Sequence, residues 1–288
     1  MSDQAHTLRV LRGGRQPPFR DGDNPLAKQR RAFAVTGGKG GIGKSTLAVN
    51  LAVAYAQLGT KTLLVDTDLG MADLNLLLGV APEHSLLDAL GGTDLQDVLV
   101  QAHGIELLPA LNGSYLLSTL GPAGLKKIMD LVESLATQFD TLVVDVAAGI
   151  GQVQTMFAGA TADAVVVVNP EPLSIADAYA CLKVLSIEQG MKHAYLVPNR
   201  VLSRAHADEV TARLSALVNR FLDLELTVLP PIPSDPSVAE ASQIGVPLLV
   251  HAPESPAARA IRQLAKALGS LASQPATWWR ARAQGVSR

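Results

Sequence analysis

Residues 37–46 read GGKGGIGKST. From Gly38 onward they fit G-x-x-x-x-G-K-[ST], the pattern of a loop that holds phosphate. Gly38, Gly40, Gly41 and Gly43 let the backbone come close to an anion. The N–H groups from Gly38 and Lys39 through Ile42 to Thr46 are then expected to surround its oxygens. A helix starting near Lys44 would aim its positive end at the same anion. Lys44 suits the β- and γ-phosphates of a nucleotide, and the Ser45 hydroxyl suits Mg²⁺. Carboxylates follow at 66, 68 and 73 (DTDLGMADLN) and at 145, after the apolar run Leu142-Val143-Val144. An acid at the C-terminal end of a parallel strand lies on the phosphate side of its sheet. Apolar residues leading into Asp145 give the Walker B pattern, in which the carboxylate holds Mg²⁺, often through water. The Asn199 side chain offers the donors and acceptor that match a base edge. Arg200, Pro233 and Asp235 are candidates for the same pocket.

These groups need a frame. Short apolar runs at 32–36, 62–66, 105–108, 141–145, 164–168, 194–198 and 226–229 read as strands. Their unbroken Val and Leu content predicts burial on both faces of a parallel sheet. Helices are predicted at 44–58, 121–137, 152–161, 173–189, 205–221, 236–244 and 256–271. This alternation predicts an α/β fold with a doubly wound, mostly parallel sheet and helices on both faces. The organisation expected is an extension at 1–31, a nucleotide-binding domain at 32–255, and a C-terminal helix with a basic tail at 256–288. In that last helix Ile261, Leu264, Ala265, Leu268 and Leu271 recur at helical spacing, which fits packing on the core or lying on lipid.

Composition narrows the class. Hydrophobic residues are 48% of the 288, and 24 Lys/Arg face 26 Asp/Glu. This argues against disorder and against a generally basic nucleic-acid binder. The charge is uneven. Residues 1–31 carry a net +4 and residues 256–288 a net +6 with no acid, around a middle of net −12. Basic ends suit an anionic partner. One cysteine, Cys181, supplies neither a disulfide nor a CxxC ligand pair. The longest valine run is far short of a membrane span, and no secretory signal is visible, so a cytoplasmic protein is expected.

The loop KGGIGKS, with Lys39 ahead of the glycines, resembles that of the deviant Walker A ATPases of the MinD/ParA type. The resemblance covers nearly all of 32–255 and implies a P-loop NTPase fold with ATP/ADP and Mg²⁺ as cofactors. It implies an ATP-dependent homodimer in which Lys39 reaches the partner's nucleotide. By the same match Asp68 orients or activates the attacking water, and Asp66 supports the Mg²⁺ shell held by Ser45 and Asp145. Residues 145–150, DVAAGI, resemble the family's second switch. Asp73 and Asn75 exchange the residue types usual in the family, so their roles are left open. Asn199, Arg200, Pro233 and Asp235 fall where similar ATPases hold adenine. Iron–sulfur relatives use cysteine ligands that this chain lacks.

The N-terminus, SDQAHTLR, is similar to the D-Q-A-x-x-L-R motif of the family's flagellar-number regulators (FlhG or FleN). There the segment stimulates a flagellar GTPase of the SRP type. Asp3, Gln4, Ala5, Leu8 and Arg9 are the matching residues. Leu8 can anchor in a groove, Gln4 can present an amide, and Arg9 can pair with acids. The resemblance implies further partners: a flagellar transcriptional activator and components of the flagellar C-ring. Trp278, Trp279, Arg280 and Arg282 place interfacial aromatics beside cations, which suits the inner face of the cell membrane. The activity expected is Mg-dependent ATP hydrolysis in the control of flagellar number and placement. The alternative is a cell-division MinD or a DNA-partition ParA, although specific DNA binding is not expected.

Overall fold

A computed structural model describes residues 30–68, 73–110, 121–161 and 163–271. Its strands are β1 (Arg31–Thr36), β2 (Thr62–Asp66), β3 (Val100–Ala102), β4 (Ile105–Leu108), β5 (Thr141–Asp145), β6 (Asp163–Val168), β7 (His193–Val201), β8 (Glu225–Val228) and β9 (Ile232–Pro233). Eight of them run in the order β3-β4-β2-β5-β1-β6-β7-β8, and β9 pairs with the end of β7. Every pairing is parallel except β3 with β4. The mostly parallel doubly wound sheet expected from the Val/Leu runs is therefore present.

Successive residues of the inner strands enter opposite cores. Ala32, Ala34, Leu142, Val144, Val166 and Leu196 face one. Phe33, Val35, Val143, Val165, Val167 and Val197 face the other. The first core is covered by α5 (Pro122–Ala136), α6 (Gln152–Ala160), α7 (Pro172–Ile187) and α8 (Arg204–Phe221). The second is covered by α1 (Lys44–Gln57) and α11 (Pro256–Ser270). The apolar stripe of α11 lies on protein: Ile261, Leu264, Ala265 and Leu268 are buried in this core. The Tyr55 hydroxyl donates to the Ala265 carbonyl (3.1 Å). Five short helices complete the described residues: α2 (Leu74–Leu78), α3 (Leu86–Leu90), α4 (Leu95–Val98), α9 (Pro236–Gln243) and α10 (Leu248–His251).

Two expectations need correction. Strand β8 is an edge strand with half-exposed residues rather than a strand buried on both faces. Asn199 and Arg200 lie within β7, which runs to Val201, and do not follow it. The strand continues because β9 pairs with its last residues through a register shift, and Arg200 takes up that shift with φ 56°.

Candidate functional site

The loop from Gly37 to Gly43 joins the C-terminal end of β1 to α1, as the glycine spacing predicts. Gly41 (φ 73°) and Gly43 (φ 93°) sit in the left-handed region that glycine enters without strain. Gly38 is required for another reason. A Cβ there would lie 2.1 Å from the Asp177 carbonyl oxygen on α7. The loop thus rests directly on a helix backbone.

Lys44 is buried, and its ammonium donates to the Lys39 carbonyl (3.1 Å). Burial lowers its pKa, while Asp145 and Asp68 oppose that shift. Strand register sets the acids. Asp66 and Asp145 are paired partners at the ends of β2 and β5, and they are only 2% and 3% exposed. Burial pushes the Asp145 carboxyl up to about 7, although the Ser45 hydroxyl and Lys44 pull it down. Burial, then Asp145 itself, raise Asp66 well above the ordinary carboxylate range. The Asp66 carboxylate accepts the Asp68 N–H (2.9 Å) and the Leu74 N–H, on either side of residues 69–72. It braces both ends of that segment. Thr67 donates from its hydroxyl (2.7 Å) and its N–H (3.1 Å) to the Asp145 carbonyl, tying the two strand ends together.

Asp145 Oδ1 is buried without a hydrogen-bond partner among the described residues. A desolvated carboxylate oxygen beside a hydroxyl that already reaches the same group fits a divalent cation. Ser45 and Asp145 are the residues that would hold it.

Lys39 lies at the surface and forms an ion pair with Glu171 (2.8 Å) just before α7. Lys39, by hydrogen bond and charge, and then Arg200 hold the Glu171 carboxyl below its ordinary range. Nothing in the local sequence around Lys39 marks Glu171, which is 132 residues away.

Asn199, Arg200, Pro233 and Asp235 all line one cleft of about 410 Å³ beside Gly43 and Thr46. The Asn199 amide nitrogen donates to the Ile42 carbonyl of the loop (2.8 Å), which leaves its Oδ1 and its second N–H for a ligand. Asp235 caps α9 by accepting the Ser237 N–H, and it also accepts the Ala257 N–H at the start of α11 (both 3.0 Å). Burial acts to raise its carboxyl, but these N–H bonds leave it below the usual range. Its place in the cleft is that of a scaffold.

The candidates Asp3, Gln4, Ala5, Leu8, Arg9, Trp278, Trp279, Arg280 and Arg282 lie outside the described residues. No described helix is long and apolar enough to cross a membrane.

The ParA family, described as NUBPL iron-transfer P-loop NTPase, matches residues 28–269. Antiactivator FleN of Pseudomonas aeruginosa is 37% identical over 242 residues, covering 83% of this chain and 86% of its own. Flagellum site-determining protein YlxH of Helicobacter pylori is 34% identical over 201 residues, covering 68% and 67%. The septum site-determining protein MinD from Pyrococcus horikoshii, complexed with Mg-ADP, superposes with a TM-score of 0.69 at 29% identity. That match spans 84% of this chain and 97% of that one.

Proposed function

The chain belongs to the ParA/MinD family of P-loop NTPases, and from that premise we propose that it is a Mg-dependent ATPase acting as an ATP-controlled dimer in flagellar placement. The observation that carries the nucleotide reading is the trio of buried Lys44, half-buried Ser45 and buried Asp145, with its one unpartnered carboxylate oxygen. The loop N–H groups and Lys44 bind the phosphates. Ser45 and Asp145 would hold Mg²⁺, which would supply charge neutralisation for the phosphates. Asp68 orients the attacking water. Asn199 Oδ1 accepts from the amino group of adenine, while the same side chain steadies the loop. A neighbouring copy supplies Lys39 in trans, which requires the Lys39–Glu171 pair to open.

The rim supports a dimer. Ile150, Leu173 and Leu202 each follow the C-terminal end of a strand, as the loop does, and are 47%, 70% and 81% exposed. In this reading a second copy covers these side chains. The names of the FleN and YlxH relatives support the flagellar setting, as do Asp3, Gln4, Ala5, Leu8 and Arg9. With a single, buried Cys181, an iron-carrier role is not favoured. In this reading residues 1–31 stimulate the flagellar SRP-type GTPase, α11 completes the fold of the 32–255 ATPase domain, and the residues that follow it reach the inner membrane. A transcriptional activator and the C-ring are further partners.

The test is phosphate release together with gel filtration. Asp68→Ala should keep ATP binding and accumulate dimer, with hydrolysis reduced about 100-fold or more. Hydrolysis by that variant at the native rate would overturn the assignment. Stimulation of the GTPase by a peptide of residues 1–20, lost with Gln4→Ala, tests the flagellar reading separately.

A further inference from the structure

The exposed face of α11 differs from that of the other surface helices. Its outward residues are Pro256, Arg259, Arg262, Gln263, Lys266 and Ser270. Three are cations, and the helix contains no acid. The positions 259, 262, 266 and 270 follow i, i+3, i+7, i+11 and so form one straight stripe along the helix. α5 and α8 carry acids among their cations, and Lys126–Asp130, Arg204–Asp208 and Arg213–Glu209 pair one turn apart. None of Arg259, Arg262 and Lys266 has a carboxylate partner among the described residues. The two guanidinium groups donate instead to the Glu254 and Pro253 carbonyls. Those bonds hold the groups in place without neutralising them.

We propose that this cationic ridge of α11 is a docking surface for an anionic lipid bilayer, acting through charge alone. It rests on the membrane reading given above and extends it from the tail to the folded core. The opposite face of α11 is spent on the core, where Ile261, Leu264 and Leu268 are 3% exposed or less. The helix therefore cannot insert, and its contribution is electrostatic and salt-sensitive. A straight row of unmatched cations suits a flat anionic surface. The row leads at Leu271 directly into the segment carrying Trp278, Trp279, Arg280 and Arg282. The remainder of the body carries net negative charge.

The test is sedimentation of the full chain with vesicles of phosphatidylcholine alone and of phosphatidylcholine mixed with phosphatidylglycerol, with ATP present. The variants are Arg259→Gln/Arg262→Gln/Lys266→Gln, Lys266→Glu alone, and Trp278→Ala/Trp279→Ala. Lys266 makes no hydrogen bond among the described residues, so its variant is a control against misfolding. At about fivefold per neutralised cation, the triple variant should bind mixed vesicles about 100-fold more weakly, and its residual binding should lose most of its salt dependence. Lys266→Glu should lose at least about fivefold. Native-like binding by the triple variant, while the tryptophan variant fails, overturns the ridge and leaves the tail reading standing. No vesicle binding by the native chain overturns both. Salt-sensitive binding of duplex DNA that the triple variant loses, with vesicle binding unchanged, makes the ridge a nucleic-acid surface instead.

Discussion

Strands β2 and β5 carry a matched polar pair at each end. At the start Thr62 opposes Thr141, and four residues on Asp66 opposes Asp145. All four are buried. The threonines solve their burial internally. Thr62 and Thr141 each bond to the Thr60 hydroxyl, and Thr60 donates to the Tyr55 carbonyl. The aspartates do not: Asp145 raises the pKa of Asp66, and Asp145 keeps an oxygen with no partner among the described residues. A hydroxyl is donor and acceptor at once and can close a network with its own kind. Carboxylates only accept when ionised and repel one another. The same two strands therefore end in a structural cluster on one side and a site that needs a ligand on the other.

Removing charge at the acid end should have the largest effect. Asp145→Asn is expected to reduce ATP hydrolysis about 1000-fold while raising the melting temperature of the nucleotide-free protein. The pH response sharpens this. A carboxyl that climbs to about 7 on folding takes up a proton across the interval from the ordinary carboxylate range to there. The native nucleotide-free protein should thus lose stability as pH rises from about 4 to about 7, and Asp145→Asn should flatten that slope in melting curves. Gly38→Ala drives a methyl group into the Asp177 carbonyl and should cost about 3 kcal/mol in urea unfolding. Gly41→Ala meets nothing within 4 Å and should cost about 1 kcal/mol, from its left-handed φ alone. Mg-ADP at about 100 times its Kd should stabilise the native chain by about 2.7 kcal/mol, and a chelator should remove most of that. At the other end Thr141→Val should cost about 1 kcal/mol and leave the Mg-ADP increment intact. A lost increment in Thr141→Val would break the contrast between the two ends.

All seven strands and seven helices expected from the sequence are present, because each is long enough for apolar runs or helical periodicity to show. The elements that escaped are short. Strand β3 has three half-exposed residues, β9 has two, and α2, α3, α4 and α10 have four or five each. None completes two helical turns, although the Ser85–Asp88 capping box was a readable signal for α3. The phosphate loop and the acids were legible because their chemistry needs fixed types at fixed spacing. Glu171 beside Lys39, Asp177 beneath Gly38 and the Asn199 bond to Ile42 were not, since each joins residues more than 130 positions apart. The two possibilities for the apolar stripe of α11 could be separated only by seeing which surface it covers.

The seam where α11 closes over β1 and α1 has a consequence in time. Arg31 donates to the Gly269 carbonyl and Tyr55 to that of Ala265, across 238 and 210 residues. At about 5–20 residues per second, a ribosome needs roughly 10–50 s between making the first strand and making the helix that covers it. Throughout that interval the apolar side of α1 has no permanent roof, and an attending chaperone has a defined window in which to shelter it. The first strand made is among the last to be sealed.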